Sequence, residues 1–360
     1  MKASQTVLIA VLCILPLKGS SAGTAPRYRL QDVEVHGSDR LSCDAVRAKF
    51  DPDIKTYLVK LAGQSKKAAA DAEKLKAALE KGVQSMGGFP WVRVDVAKGD
   101  ERDGTTDVVL MVEVVEEKDM ASRMPLRPAP LRDVADTSGL LEAYGRYQDV
   151  GWAIFREGKI GLERAGCPAF YCTWGSGTPE LKSLETQFVE GVPIYEKLLR
   201  EVLAEDKDPV KRSRALLLLA YLREGRAVAE LATSALLDAD AQVRESAMGI
   251  FNEMALYHPK VPLPLREIAR LFDYPDSGDR GRALAFFVTI SSDEDSRSFL
   301  FGETADRVLE LLRTKHPMNH EAAHRLLCLL SHEKYGDRDY EAWSAWLLKM
   351  RKEGAQKGGD

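Results

Sequence analysis

The feature that most constrains this chain is a recurring pattern in its second half. Asp208-Pro209-Val210-Lys211-Arg212-Ser213-Arg214-Ala215, Asp240-Ala241-Gln242-Val243-Arg244-Glu245-Ser246-Ala247 and Asp276-Ser277-Gly278-Asp279-Arg280-Gly281-Arg282-Ala283 align on their final alanines, which lie 32 and 36 residues apart. A weaker fourth copy begins at Asn319-His320-Glu321-Ala322-Ala323. Self-similarity at such a period marks a stack of like units, because one unit cannot cover its own apolar face. Each unit reads as a helix pair. An apolar helix precedes each pattern, at Ile194 to Leu203, Val228 to Leu237, Leu265 to Phe272 and Ala305 to Leu312. The leading Asp, or Asn319 in the fourth copy, is expected to cap the second helix. The small Ala lets neighbouring helices approach closely.

The fullest instance, Asp240 to Ala247, reads D-x-x-V-R-x-x-A, and behind an amphipathic helix this resembles HEAT repeats over about residues 192–331. The end, Tyr335-Gly336-Asp337 to Trp343-Ser344-Ala345-Trp346-Leu347, resembles the aromatic closing helix of some exported bacterial HEAT proteins. The resemblance implies an armadillo-type, all-α solenoid over 192–350 with a C-terminal cap. It also implies protein–protein interaction through a concave face.

The first half has a different period. Tyr28 to Val35 alternates and is broken by His36-Gly37-Ser38-Asp39; Trp91-Val92-Arg93-Val94-Asp95-Val96 alternates strictly; Asp107 to Val114 does so more loosely. Alternation predicts strands, and the polar cluster Gly99 to Gly104 joins the last two as a hairpin. Ser42 is expected to cap a short helix through Ala45, Val46 and Phe50, and Lys66 to Met86 forms a clear helix with Ala72, Leu75, Leu79 and Val83 on one stripe. The order is β-α-α-β-β. Val35-His36-Gly37 after the first strand, Gly88-Phe89-Pro90-Trp91-Val92 before the second and Val112-Glu113-Val114 closing the third resemble a POTRA domain, the polypeptide-transport-associated module, over residues 27–117. That resemblance implies a binding module. An exposed sheet edge accepts an extended peptide through backbone hydrogen bonds, and Val92, Arg93, Val94, Asp95 and Val96 are the candidate edge, with Arg93 and Asp95 marking a solvent side. The opposing reading is a sheet packed on its own helices with edges blocked by charge. The whole is α+β and multi-domain.

Residues 1–22 read as a secretory signal peptide. Lys2 precedes an apolar run from Val7 to Leu17, and Gly19-Ser20-Ser21-Ala22 supplies small residues for cleavage. The run is too short to span a bilayer, and Cys13 within it follows Leu12, which argues against a lipid anchor. Removal would take the net charge from −4 to −6 and the cysteines from five to four. No later apolar run is long enough for a span. An exported, periplasmic chain without an integral membrane span is expected, secreted or outer-membrane-associated forms being the other readings. With 51 basic against 55 acidic residues there is no polybasic field, so nucleic acid is not expected as a partner. An oxidising compartment allows a disulfide between Cys167 and Cys172, set in a Gly/Pro-rich loop, with two separate thiols as the alternative. Cys43 and Cys328 are read as buried small residues.

Between the halves, Pro125, Pro128 and Pro130 mark 118–138 as a linker or irregular connection, and 139–191 as a helical connection carrying the cysteine loop, with Thr178-Pro179 opening a helix. One motif invites a catalytic reading. His320-Glu321-Ala322-Ala323-His324 spells H-E-x-x-H, which on a helix sets both imidazoles on one face, as in a zinc peptidase. His332, Glu333 and Glu341 do not stand at a matching third-ligand spacing. The repeat accounts for the same residues: Asn319 caps, Ala322 or Ala323 takes the small position, and Leu326, Leu327 and Leu330 face the core. No catalytic residue, metal or cofactor is therefore expected. The expected function is a non-catalytic protein-interaction scaffold of the cell envelope. An accessory role in outer-membrane or surface protein assembly is the alternative, and a zinc peptidase the remote one.

Overall fold

Alternation in the first half produces a three-stranded sheet. In the computed structural model, which describes residues 27–161 and 166–357, β1 (Arg27–His36), β2 (Trp91–Arg102) and β3 (Thr105–Val115) are ordered β1-β3-β2. β1 runs parallel to β3 and β2 antiparallel to it. Residues 1–22, read above as a signal peptide, and with them Cys13, lie outside the described residues. A bulge at Gln31 shifts the register, so Leu30 and Val33 share a face although their spacing breaks strict alternation. The hairpin closes through Asp103 and Gly104, with φ of 53° and 69°, so Gly99 to Arg102 are strand and not turn. Two consecutive left-handed residues make the tight turn that matches strand twist.

α1 (Cys43–Leu61) and α2 (Lys66–Gly87) cover one face of the sheet. Ser42 and Ser65 cap them, accepting the N–H groups of Ala45 and Ala68 at 3.1 and 3.0 Å. α1 is longer than the short helix expected, because Ile54, Tyr57 and Leu58 extend the Val46/Phe50 stripe into the same core as Val94, Val112 and Val114.

The remainder is helical: α3 (Met120–Arg123), α4 (Leu140–Arg156), α5 (Pro179–Glu205), α6 (Pro209–Leu219), α7 (Gly225–Ala235), α8 (Ala241–Tyr257), α9 (Leu265–Ala269), α10 (Ser277–Ile290), α11 (Glu294–Phe299), α12 (Ala305–Leu312), α13 (Pro317–Ser331) and α14 (Tyr340–Lys357). No helix among the described residues is long and apolar enough to cross a membrane. At this level the fold is mixed, helices plus one small sheet.

The repeated residues act in register. α6, α8, α10 and α13 lie side by side, and Ala215, Ala247, Ala283 and Ala323 are fully buried between them. Asp208, Asp240 and Asp276 cap α6, α8 and α10, accepting from the N–H groups of Val210, Gln242 and Asp279 at 2.8, 2.8 and 3.0 Å. The fourth copy departs. Its N-cap is His316, Pro317 takes the first helical position, and Asn319 sits buried inside α13 instead of capping it. Pro317 sets the helix start three residues earlier than the motif alone suggests, since its fixed φ suits a first turn and it lacks an N–H to satisfy. One apolar core runs from Val134 through the stack to Leu347. α14 closes it with Trp343, whose indole donates to the Gly336 carbonyl at 2.9 Å.

Residues 118–138 are pinned along the helical unit. The Arg127 N–H donates to the Leu237 carbonyl at 2.8 Å, Lys207 N–H to the Arg132 carbonyl at 2.6 Å, and Val134 N–H to the buried Asp206 carboxylate at 2.8 Å. Lys211 bridges Asp133 and Asp206 at 2.8 and 3.2 Å.

Candidate functional site

The arginine of the repeat is the key to the polar interior. Arg212 sits in α6, Arg244 in α8 and Arg280 in α10, each three residues before its aligned alanine and each almost fully buried. Each directs Nη1 at a backbone carbonyl six residues earlier: Asp206, Asp238 and Tyr274, at 2.9, 2.8 and 3.0 Å. The rest of the guanidinium reaches the next unit. Arg212 grips Asp238 through Nε and Nη2 at 2.9 and 2.7 Å. In the third unit the Asp238 position is occupied by Tyr274, and Arg244 instead grips Asp279 through Nε and Nη2 at 2.8 and 2.6 Å. Arg212 meets both oxygens of Asp238, the bidentate match of planar fork to carboxylate, whereas Arg244 meets Asp279 through Oδ2 alone.

The fourth unit offers Arg280 no acid. Thr314 stands at the Asp238 position and Asn319 at the Asp279 position. The missing carboxylate comes from β3, where Glu113, 4 % exposed, pairs with Arg280 Nη2. Burial alone would raise the Glu113 carboxyl, but Arg280, with His36 and Arg123, holds it below the ordinary range. This contact is the centre of a seam between the second face of the sheet and the helical array.

Other pairs complete the seam. Arg93 on β2 bridges Asp276, the cap of α10. Glu34 on β1 accepts the Lys315 N–H with both oxygens at 3.0 and 2.9 Å, while Lys315 Nζ reaches Asp32 at 2.5 Å. Arg123 of α3 donates to the carbonyls of Val114 and Asp273 at 2.8 and 3.2 Å and lies 3.4 Å from Glu113. Gly37, at φ 94°, is required here, since a side chain would strike the Val114 carbonyl and the Arg123 guanidinium. The reading of Arg93 and Asp95 as a solvent side is thereby corrected. Their face is turned to the array, and Arg93 is partly buried against it. A charged face can be covered at tolerable cost only where each charge is matched, and here the matching groups come from a distant part of the chain. Two signals for this lay in the sequence: an acid at an interior strand position and the loss of an acid from the fourth repeat.

The candidate edge is also occupied in part. β2 is an edge strand, and the Val94 N–H that points away from β3 donates to Glu80 of α2 at 3.0 Å. Asp95 pairs with Lys76 of α2 at 3.1 Å. Val92 borders a shallow groove with Trp91, Pro90, Glu80 and Gln84. Val96 packs partly against the sheet's own core.

Cys167 and Cys172 are joined by a disulfide, S–S 2.04 Å. The loop lies on a buried carboxyl. Glu185 of α5, 2 % exposed, accepts the hydroxyls of Tyr147 and Tyr221 at 2.5 and 2.6 Å. Tyr147 in turn accepts the N–H groups of Trp174 and Gly175, each at 2.9 Å, so its own proton is committed to Glu185. Burial raises the Glu185 carboxyl, against the opposing pull of the two phenols. Nothing in residue spacing marks this cluster, which draws on α4, α5 and the turn after α6.

His320 and His324 stand one turn apart on α13, but both ring nitrogens of His320 and Nε2 of His324 are engaged. His320 Nδ1 meets the Leu312 carbonyl at 2.6 Å and Nε2 meets Asp337 at 3.0 Å; His324 Nε2 meets the Tyr335 carbonyl at 3.0 Å. Among the described residues, no three His, Cys, Asp or Glu side chains are grouped to hold a metal ion. Cys43 and Cys328 are half-buried, not fully buried as expected, because each sits at the border of its helix's apolar stripe. Comparison with protein-family models, curated proteins and solved structures returned no match.

Proposed function

We propose that this chain is a non-catalytic protein-interaction scaffold of the cell envelope, in which a POTRA-like unit and a HEAT-like array dock against each other in one defined arrangement. The observation that carries this reading is the Arg280–Glu113 pair. It closes the ladder of the array with a residue of the sheet, so the relative placement of the two units is specified and not left to a tether. A defined docked placement suits a scaffold, whose value lies in the geometry it imposes on what it binds. Export rests on the character of residues 1–22.

The test has two arms on the full chain. Cell fractionation with N-terminal sequencing should place a chain beginning just after Ala22 in the envelope or exterior. Photo-crosslinking from exposed positions on both units, such as Val59 and Ile194, should trap the same partner from each. A chain retained whole in the cytoplasm, or partners that differ between the two units, overturns the reading.

The assembly-factor alternative uses the β2 edge. Glu80 already takes the Val94 N–H there, so this reading requires Glu80 to yield. Glu80→Ala should then increase binding of extended peptides to the full chain, measured by fluorescence anisotropy; unchanged binding removes the alternative.

A further inference from the structure

We propose that the seam is a releasable latch, in which Arg280 exchanges Glu113 for Asn319 as the sheet unit lifts from the array, and that acid favours release. The first support is unequal use of the arginine fork. Arg212 and Arg244 each commit Nε and Nη2 to an acid of the next unit. Arg280 commits Nη2 to Glu113 and leaves Nε buried without a partner.

The second support is the group waiting in the array. Asn319 occupies the repeat position of Asp279, the residue that Arg244 grips, each four residues before the aligned alanine. Asn319 is fully buried, and neither its Oδ1 nor its Nδ2 has a partner. It borders α10, since a side chain built on Gly281 would approach its Oδ1 to 3.3 Å. Two partners of different charge thus compete for one fork, and this is the form of a two-state element.

The third support is where unpaired atoms collect. Buried polar groups are normally bonded. Among the described residues the buried side-chain atoms without a hydrogen bond belong to His36, Asp279, Arg280, Arg307, His316 and Asn319. All lie at or beside the seam. His36 Nε2 is 3.0 Å from Glu34 Oε1 but out of hydrogen-bond alignment. Docking thus leaves His36 Nε2, Arg280 Nε and His316 Nδ1 unsatisfied at the seam itself, which favours its release.

The acid sense follows from what surrounds His316. It faces Arg280 from α10, Asp95 from β2, Glu113 from β3 and Glu34 from β1, and it follows Lys315. Burial, then Arg280, hold its imidazole below the ordinary 6.5, against the three acids. The docked form thus binds a proton less readily than the released form. Docking is strongest above the ordinary histidine value and weakens as pH falls through and below it. Glu113 works in the same sense at lower pH: its carboxyl is held down by the pairing, so docking loses that contribution as the released carboxyl takes up protons.

A zero-length carbodiimide crosslink between Lys315 and Asp32 reads docking in the full chain, because these residues pair across the seam at 2.5 Å. Yield is normalised to Lys211–Asp133, a pair at 2.8 Å that does not involve the sheet, to remove the reagent's own pH dependence. The normalised yield is expected to fall several-fold between pH 7.5 and pH 5. Asn319→Asp supplies the acid the fourth repeat lacks and should lower the yield several-fold at pH 7.5, with helical circular dichroism retained. His316→Gln should shift the pH midpoint downward. A yield flat from pH 7.5 to 5, an unchanged or higher yield in folded Asn319→Asp, or an unmoved midpoint in His316→Gln overturns the latch. If Asn319→Asp does not fold, the His316→Gln midpoint and the wild-type profile decide.

Discussion

Arg212 and Arg244 close their ion pairs inside the helical array, whereas Arg280 closes on the sheet. All three share a helix position, a backbone carbonyl partner and near-complete burial. They differ in the source of the acid and in the Nε that Arg280 leaves unpaired. When the next repeat provides it, the pair joins consecutive units that already pack through Leu, Val and Ala, and it fixes their register. When the next repeat lacks it, the uncompensated guanidinium becomes a docking point for another part of the chain. A lapse in a repeat is thus informative: it marks where the array meets something other than itself.

The largest effect should come from breaking a rung inside the array. Asp238→Ala leaves Arg212 charged, buried and unpaired, a change that costs roughly 3–5 kcal/mol. Urea unfolding should show it as a lowered midpoint for the whole helical transition. If the loss is under about 1 kcal/mol, the internal rungs are ornaments on apolar packing and the contrast with Arg280 collapses. Glu113→Gln should cost less, about 1.5–3 kcal/mol, the usual worth of a hydrogen bond to a charged group. Its signature is also different. Circular dichroism reports mainly the helices and hydrogen exchange of the β2 and β3 amides the sheet, and their transitions should separate in the variant. Coincident transitions would show that the remaining contacts of the seam, Arg93–Asp276 and Lys315 with Glu34 and Asp32 among them, hold it without Glu113.

The disulfide provides a control at the other end of the array. Cys167 and Cys172 are five residues apart, and closing so short a loop contributes about 2 kcal/mol on the chain-entropy model. Serine at both positions should lower the helical midpoint while leaving the Lys315–Asp32 crosslink intact. The smallest effect is one of pH. Glu185 is raised by burial, so the folded chain favours its neutral form. This group's contribution to stability is greatest below the ordinary carboxylate value and declines as pH rises toward neutrality. Glu185→Gln should remove that decline. The amide oxygen still accepts from Tyr147, and the NH₂ can donate to Tyr221, so the fold is retained. Thermal midpoints of the two chains between pH 4.5 and 7 measure it, and parallel curves would exclude an ionising Glu185.

Much of the fold was legible because its signals are local. Asp208, Asp240, Asp276, Ser42 and Thr178 cap helices through their own next few residues, and capping is a property of a short window. Lys66 to Met86 declared itself by composition and ended one residue later, at Gly87. Asn319 failed as a cap because Pro317 and the buried surroundings of α13 outweighed the cap preference of the residue alone. Arg93 failed as a solvent marker because alternation separates two faces of a strand without saying what covers the second. The Glu185 cluster was invisible, since its members come from helices far apart in the chain.

The sequence by itself determined the units: a β-α-α-β-β segment, a repeated helix pair with buried alanines, and an aromatic closing helix. Each follows from periodicity and from caps that act within one or two turns. Only the tertiary structure decided that Glu113 completes the ladder, that the proline-rich connection is pinned along the array, and that two tyrosines share one buried carboxyl. The reason is physical. A buried charge must find an opposite charge, but nothing in its local sequence says from which part of the chain that charge will come.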